Sequence, residues 1–73
     1  MGANLDDAEL EDVDLQGANL TGATFHNAYL NGVKLEGANL TGVDLDMAHS
    51  VTSVWLQGAT LNGTKISGRF IRF

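Results

Sequence analysis

Two histidines and nine acidic residues are the side chains of this sequence with the chemistry to transfer protons or to bind a metal ion. His26 and His49 occupy different positions within the repeat described below, so no common spacing links them. The chain also contains no cysteine, which excludes a thiolate metal site and a disulfide. The sequence therefore predicts no catalytic residue, no metal site and no cofactor.

Charge is distributed unevenly along the chain, whose net charge is −5. Most of the acidic residues lie near the start of the chain: Asp6, Asp7, Glu9, Glu11, Asp12 and Asp14. Three of the four basic residues lie near its end: Lys65, Arg69 and Arg72. This balance disfavours nucleic acid or an anionic membrane as a direct partner, because both attract Lys and Arg. It indicates a solvated acidic surface, or an electrostatic contact with a basic protein or between opposite ends of neighbouring copies.

Length and composition limit the elements that can position these residues. With 73 residues, the chain has room for one domain, near the size at which an ordinary hydrophobic core barely supports a fold. Apolar residues are scattered singly, so we expect no membrane span and no signal peptide, and hence a cytoplasmic protein. A domain of this size needs a regular source of stability.

That source is a repeat of five residues. Every leucine occupies one position of the repeat, here called the centre. Every alanine stands two residues before a centre, eight of the nine glycines stand two residues after one, and Gly2 holds the same repeat position ahead of Leu5. The centres, which we predict to form the core, are Leu5, Leu10, Leu15, Leu20, Phe25, Leu30, Leu35, Leu40, Leu45, Leu56, Leu61, Ile66 and Ile71.

A five-residue period fits neither a continuous helix nor a continuous strand. On a helix, centres five residues apart would spiral around the axis. On a strand, an odd period would send successive centres to opposite faces. The pattern instead predicts a short extended piece and a bend in every repeat, with glycine supplying the backbone angles of the bend.

The sequence Ala-Asn-Leu-Thr-Gly, at 18–22 and again at 38–42, closely resembles the pentapeptide-repeat family with its A(D/N)LXX pattern. The resemblance covers nearly the whole chain. It implies an all-β fold, a right-handed quadrilateral β-helix in which four repeats make one coil. Residues 1–73 then form a single domain of about three and a half coils, a solenoid filled by side chains and without a pore. Residues twenty apart are expected to stack, at a spacing of roughly 4.8 Å.

The spacing slips by one residue around 46–54, where either Ser50 or Val51 takes the centre position. A plain interpretation is a bulge at a corner, and a functional one is a recognition surface. Three aromatic residues also stand immediately before a centre, where the family pattern has Asn or Asp: Tyr29, Trp55 and Phe70. Tyr29 and His49, with Phe70 as a third member, are about twenty residues apart and are expected to stack on the outside, with Trp55 on the adjacent face. These aromatics indicate either a contact surface or simple cross-coil stabilisation.

Two functions compete at this point. One is a non-enzymatic interaction or scaffolding module, which binds an unidentified protein through Tyr29, His49, Trp55 and the acidic residues of the first coil. The alternative, implied by the family resemblance, is a DNA mimic that binds or inhibits a type II topoisomerase such as gyrase. The resemblance also suggests a homodimer through Phe70, Ile71 and Phe73, while the uncapped ends suggest end-to-end stacking. An enzyme is disfavoured because a filled solenoid has no pocket.

Overall fold

The computed structural model describes residues 2–67 and the backbone of residues 71–72. Short strands are its main regular elements: β1 (Glu9–Glu11), β2 (Tyr29–Asn31), β3 (Ser50–Thr52), β4 (Val54–Trp55) and β5 (Ile71–Arg72). One turn of 3-10 helix spans Leu45–Met47. Among the described residues, no helix has the length and apolar character needed to cross a membrane. The protein is therefore an all-β fold built from very short strands.

The strands pair in parallel, and the pairings of β1 with β2 and of β2 with β3 join residues one coil apart. Strand β2 lies between β1 and β3, with Leu30 opposite both Leu10 and Val51. The separation along the chain is 20 residues from β1 to β2 and 21 from β2 to β3. Residues twenty apart therefore stack as expected, until the slip adds one residue.

Within the described residues, four ladders of backbone bridges run from coil to coil, and they begin at positions five residues apart. They join Asn4 to Thr24, Glu9 to Tyr29 and Ser50, Asp14 to Lys34 and Trp55, and Asn19 to Asn39 and Thr60. The chain thus returns to the same ladder after four repeats. This arrangement is a β-helix type of fold, in which the parallel ladders satisfy the backbone hydrogen bonds between coils.

The bend after a centre is closed by short-range hydrogen bonds. The Ala23 amide donates to the Leu20 carbonyl at 2.9 Å, and the Thr21 amide donates to the side-chain oxygen of Asn19 at 3.2 Å. The same side-chain bond, from the amide two residues on, occurs at Asn4, Asp14, Asn39 and Asp44. Asn or Asp before the centre therefore holds the bend, because its short side chain reaches that amide.

In the regular repeats, the position two residues after a centre has a left-handed backbone; the exception is Met47, which ends the turn of 3-10 helix. Gly42, for example, has φ of 74°, and the other described glycines have φ between 64° and 74°. Asp7, Asp12 and Asn27 occupy the same repeat position with φ between 55° and 63°. Asn and Asp tolerate this region better than other residues with a side chain, which explains why they replace glycine here.

We expect Gly42→Val to lower the free energy of unfolding by about 2 kcal/mol, because a β-branched residue is strained at this φ. Gly42→Asn should cost about 1 kcal/mol or less. A Cβ at Gly42 would meet no other atom within 4 Å, so the difference reports backbone strain alone. Urea unfolding of both variants measures it, and equal losses would contradict a left-handed requirement at this position.

The core lies along the axis and is densest in the middle coils. The buried centres are Leu20, Phe25, Leu30, Leu35, Leu40, Leu45 and Leu56. The centres of the first coil and of the last described repeats are half-buried and pack against this core: Leu5, Leu10, Leu15, Leu61 and Ile66. The difference has a simple cause, since a centre in a terminal coil has a neighbouring coil on one side only.

The last strand departs from the sequence expectation. Ile71 is expected to continue the series of centres, in which residues twenty apart stack. Its backbone lies instead opposite Val54, 17 residues back, on the neighbouring ladder. Phe70 and Phe73 are outside the described residues, so the interface predicted from Phe70, Ile71 and Phe73 stays a prediction.

Candidate functional site

The slip in the repeat is a β-bulge opposite Tyr29. The amides of His49 and Ser50 both donate to the Ala28 carbonyl, at 2.8 Å and 3.2 Å. Ser50 takes the ladder position beside Tyr29, and Val51 takes the centre beside Leu30. Two residues therefore oppose one, which defines a bulge. The structure thus assigns the centre to Val51, a choice that the sequence left open.

The bulge places an aromatic pair on the surface. The rings of Tyr29 and His49 are stacked, with centroids 4.5 Å apart and an angle of 29° between their planes. The stacking expected from the sequence is therefore present, and the bulge explains its geometry, because it turns His49 out of the ladder. Tyr29 is 42% exposed and His49 is also exposed, so the pair is accessible to a partner.

Beside this pair lies a shallow depression of about 230 Å³. Its sides are two columns of outward side chains from β1, β2 and β3, and its floor is formed by Leu10 and Leu30. The columns are Glu9, Tyr29 and Ser50 on one side, and Glu11, Asn31 and Thr52 on the other. We call this surface, together with His49, the bulge face. It combines carboxylates, hydroxyls, an amide and an aromatic ring over rigid backbone.

The acidic residues of the first coil differ in what they contact. Asp6 accepts a hydrogen bond from the His26 amide at 2.9 Å, and Asp7 accepts one from the Asn27 side chain at 2.9 Å. Asp14 holds its own bend, and the Asp12 carboxylate lies against Gly32. Asp6, Asp7 and Asp14 therefore support the turns, whereas within the described residues the Asp12 carboxylate has no hydrogen bond.

Glu9 and Glu11 are different. Within the described residues, neither carboxylate accepts a hydrogen bond or forms an ion pair. Both side chains are exposed and both border the depression. Of the six acidic residues predicted for binding, the structure brings only these two together with Tyr29.

Trp55 belongs to a different face. It lies on the ladder of Asp14 and Lys34, which is adjacent to that of Tyr29 as expected, but it is half-buried where an exposed ring was expected. The exposed large apolar side chain that sequence reasoning missed is Met47, which is 50% exposed. Met47 occupies the repeat position that glycine holds elsewhere. Because that position lies at a bend, the sequence already indicated that a side chain there would be exposed.

The remaining groups show no catalytic arrangement in residues 2–67. The Nδ1 atom of His26 lies 3.6 Å from an Asp6 carboxylate oxygen, and both side chains are open to solvent. No three His, Cys, Asp or Glu side chains of the described part of the chain are grouped as metal ligands. The chemistry available on the bulge face is therefore hydrogen bonding, charge attraction and aromatic contact.

These ladders and bends define a class of protein, the β-helical repeat proteins whose coils are built from five-residue units. The family model described as pentapeptide repeats matches residues 8–46 with 8 copies, and the chain belongs to this family. Pentapeptide-repeat proteins are generally non-enzymatic. The resemblance stated from the sequence is therefore confirmed.

Two solved structures are similar to this chain. The first is the pentapeptide repeat protein Rfr23 from the cyanobacterium Cyanothece 51142, with 38% identity and a TM-score of 0.58 over 99% of this chain. The second is HetL, a pentapeptide repeat protein involved in heterocyst differentiation regulation from the cyanobacterium Nostoc, with 24% identity and a TM-score of 0.27 over 92% of this chain. The chain spans 44% and 48% of their respective lengths. A search of curated proteins found no match.

Proposed function

We propose that this protein is a non-enzymatic interaction module, in which a rigid right-handed, four-sided β-helix of about three and a half coils presents the bulge face to a protein partner in the cytoplasm. The four ladders and their five-residue spacing support the four-sided form. The observation that carries the proposal is the stacked Tyr29–His49 pair beside the depression, held out by the bulge. Bulges commonly re-aim a side chain at functional sites, and exposed aromatics are enriched among residues that dominate binding.

Rigidity is the second argument for this function. Each strand of the bulge face is bonded to the next coil, and Leu30 behind it is buried in the core. A partner therefore meets side chains that are already positioned, and little conformational entropy is lost on binding. A flexible loop with the same residues would bind more weakly for that reason.

We expect Tyr29→Ala to weaken partner binding by roughly tenfold or more, the effect typical of a central aromatic contact. The immobilised full chain is exposed to a lysate of the cells that make it, and retained proteins are quantified for wild type and variants. Lys34→Ala is the matched control, because it stands in the same repeat position on the neighbouring ladder. A partner retained by wild type and by Lys34→Ala, but lost from Tyr29→Ala, supports the proposal. Equal retention by all three proteins would contradict it.

The alternative function is a DNA mimic that binds or inhibits DNA gyrase. The observation that favours it is the acidic first coil, in which Glu9, Glu11 and Asp12 are exposed. Such a surface resembles the phosphate backbone in charge. A supercoiling assay with the pure chain separates the two functions. Inhibition of gyrase that is lost when Glu9, Glu11 and Asp12 are replaced by their amides favours mimicry. No inhibition at micromolar concentration favours the interaction module.

A further inference from the structure

The bulge face carries a negative charge that the protein itself leaves unpaired. Glu9 and Glu11 are the neighbours of Leu10 on β1, and both carboxylates border the depression. Within residues 2–67, neither has a hydrogen bond or an ion pair. The described basic side chains lie on other ladders, Lys34 beside Asp14 and Lys65 beside Asp44. An incoming cation is therefore the natural counter-charge at this position.

The spacing of Glu9 and Glu11 on β1 indicates which shape of cationic group fits between them. Alternate residues of a strand point to the same side and are spaced by about 6.6 Å, so Glu9 and Glu11 stand on either side of the depression. Tyr29 follows Glu9 at the next coil, about 4.8 Å away, and Asn31 follows Glu11. A planar group lying between the two columns thus meets a carboxylate on each side and an aromatic ring above.

We infer that the bulge face binds an arginine side chain from an extended segment of its protein partner, with the guanidinium between the Glu9 and Glu11 carboxylates and next to the Tyr29 ring. This inference rests on the proposed interaction function and names the chemistry of the partner. The guanidinium group fits because its five N–H donors lie in one plane and can be shared between two carboxylates. It also stacks on aromatic rings, which an ammonium group does less well.

The upper half of the depression accounts for the extended segment. Ser50 and Thr52 of β3 close the two columns and are half-buried, so their hydroxyls offer hydrogen bonds to a neighbouring backbone. Asn31 provides a further donor and acceptor on the same side. The depression therefore has an acidic part at the first coil, which binds a cation, and an uncharged polar part at the third coil. This arrangement suits an arginine side chain followed by main chain.

The test uses a short capped peptide with the sequence Ser-Ala-Arg-Ala-Ser and the same peptide with citrulline, which replaces the guanidinium by a neutral group of similar shape. Each is titrated into the isotope-labelled full chain while backbone amide shifts are followed by NMR. The arginine peptide should shift the amides of Leu10, Leu30 and Asn31 saturably. The citrulline peptide should bind about tenfold more weakly or not at all, the loss typical of a charge-assisted hydrogen bond.

Variants locate the cation. Glu11→Gln should weaken the arginine peptide by about tenfold, because it removes one of the two carboxylates. Asp14→Asn is the matched control: it removes one charge from the same coil and keeps a side-chain oxygen for the bend, as Asn does at position 39. Its effect should be less than about twofold, as expected for a distant exposed charge.

Three results would overturn the inference: no binding of the arginine peptide, equal binding of the citrulline peptide, or equal effects of Glu11→Gln and Asp14→Asn. The last would mean unspecific attraction to an acidic surface. None of these results touches the proposed function, which is decided separately by the dependence of partner retention on Tyr29. A partner that is lost from Tyr29→Ala but retained by Glu11→Gln would support the interaction module and contradict the binding of an arginine side chain.

Discussion

Leu30→Asp is expected to prevent folding of the whole chain. Leu30 is 1% exposed and lies at the centre of β2, between Leu10 and Val51 on the same ladder. The substitution removes roughly 1.5–3 kcal/mol of apolar burial and introduces a carboxylate into a core with no polar partner. Folded proteins have only about 5–15 kcal/mol of stability in total. Lost apolar burial and an unpaired buried carboxylate together therefore cost more than a chain of 73 residues can lose. Circular dichroism during heating should show no cooperative transition.

Two further variants give this prediction its control and its scale. Asn31→Asp adds the same carboxylate at the next residue of β2, where the side chain is exposed, and should change the free energy of unfolding by less than about 1 kcal/mol. Leu30→Ala creates a cavity without adding charge and should cost about 2–5 kcal/mol. If Leu30→Asp melted cooperatively at the wild-type temperature, the inward placement of Leu30 would be wrong.

The sequence predicted the repeat geometry because residue types are tied to repeat positions. A centre must be apolar to face the axis, and the residue two places later must accept a left-handed backbone. These demands are local and recur in every regular repeat. Together with the four repeats per coil that the family resemblance implied, they predicted that Leu10 stacks on Leu30 and Asn19 on Asn39. Asp7, Asp12 and Asn27 confirm the logic, since they carry positive φ in the glycine position.

The details at the slip could not be predicted in this way. Ser50 and Val51 both satisfied the local pattern, and the choice depends on which amides reach the Ala28 carbonyl one coil away. The partial burial of Trp55 and the pairing of Ile71 with Val54 also depend on neighbouring coils. The separation of Glu9 and Glu11 from the other acids required side-chain contacts across coils, such as that between Asp6 and the His26 amide. A five-residue pattern contains no information about these contacts.

Deletion of His49 is expected to leave the protein folded, whereas deletion of Asn39 should unfold it. Asn39 directly precedes the centre Leu40, whereas His49 is the extra residue of the bulge, next to Ser50 on the ladder position before Val51. Without His49, the spacing from Leu45 to Val51 becomes five, and Ser50 alone faces Tyr29 on the ladder. Without Asn39, Leu40 moves to an outward position, and every later centre loses its register with the coil below.

The expected magnitudes separate the two deletions clearly. Loss of His49 removes an aromatic pair worth about 0.5–1.5 kcal/mol and restores an unbroken ladder, so the melting temperature should change by only a few degrees. Loss of Asn39 should abolish the cooperative transition altogether, because buried centres such as Leu40 would face solvent. Thermal melts of the two variants measure the difference.

The result also bears on why the bulge exists. If the variant without His49 folds as well as wild type but retains less partner, the bulge serves to hold the Tyr29–His49 pair outward. If it unfolds like the variant without Asn39, the bulge is instead required by the packing of the third coil, where Val51 and Val54 join the core. Since a regular repeat satisfies the ladder without an extra residue, folding alone gives no reason for the bulge, and we expect the first outcome.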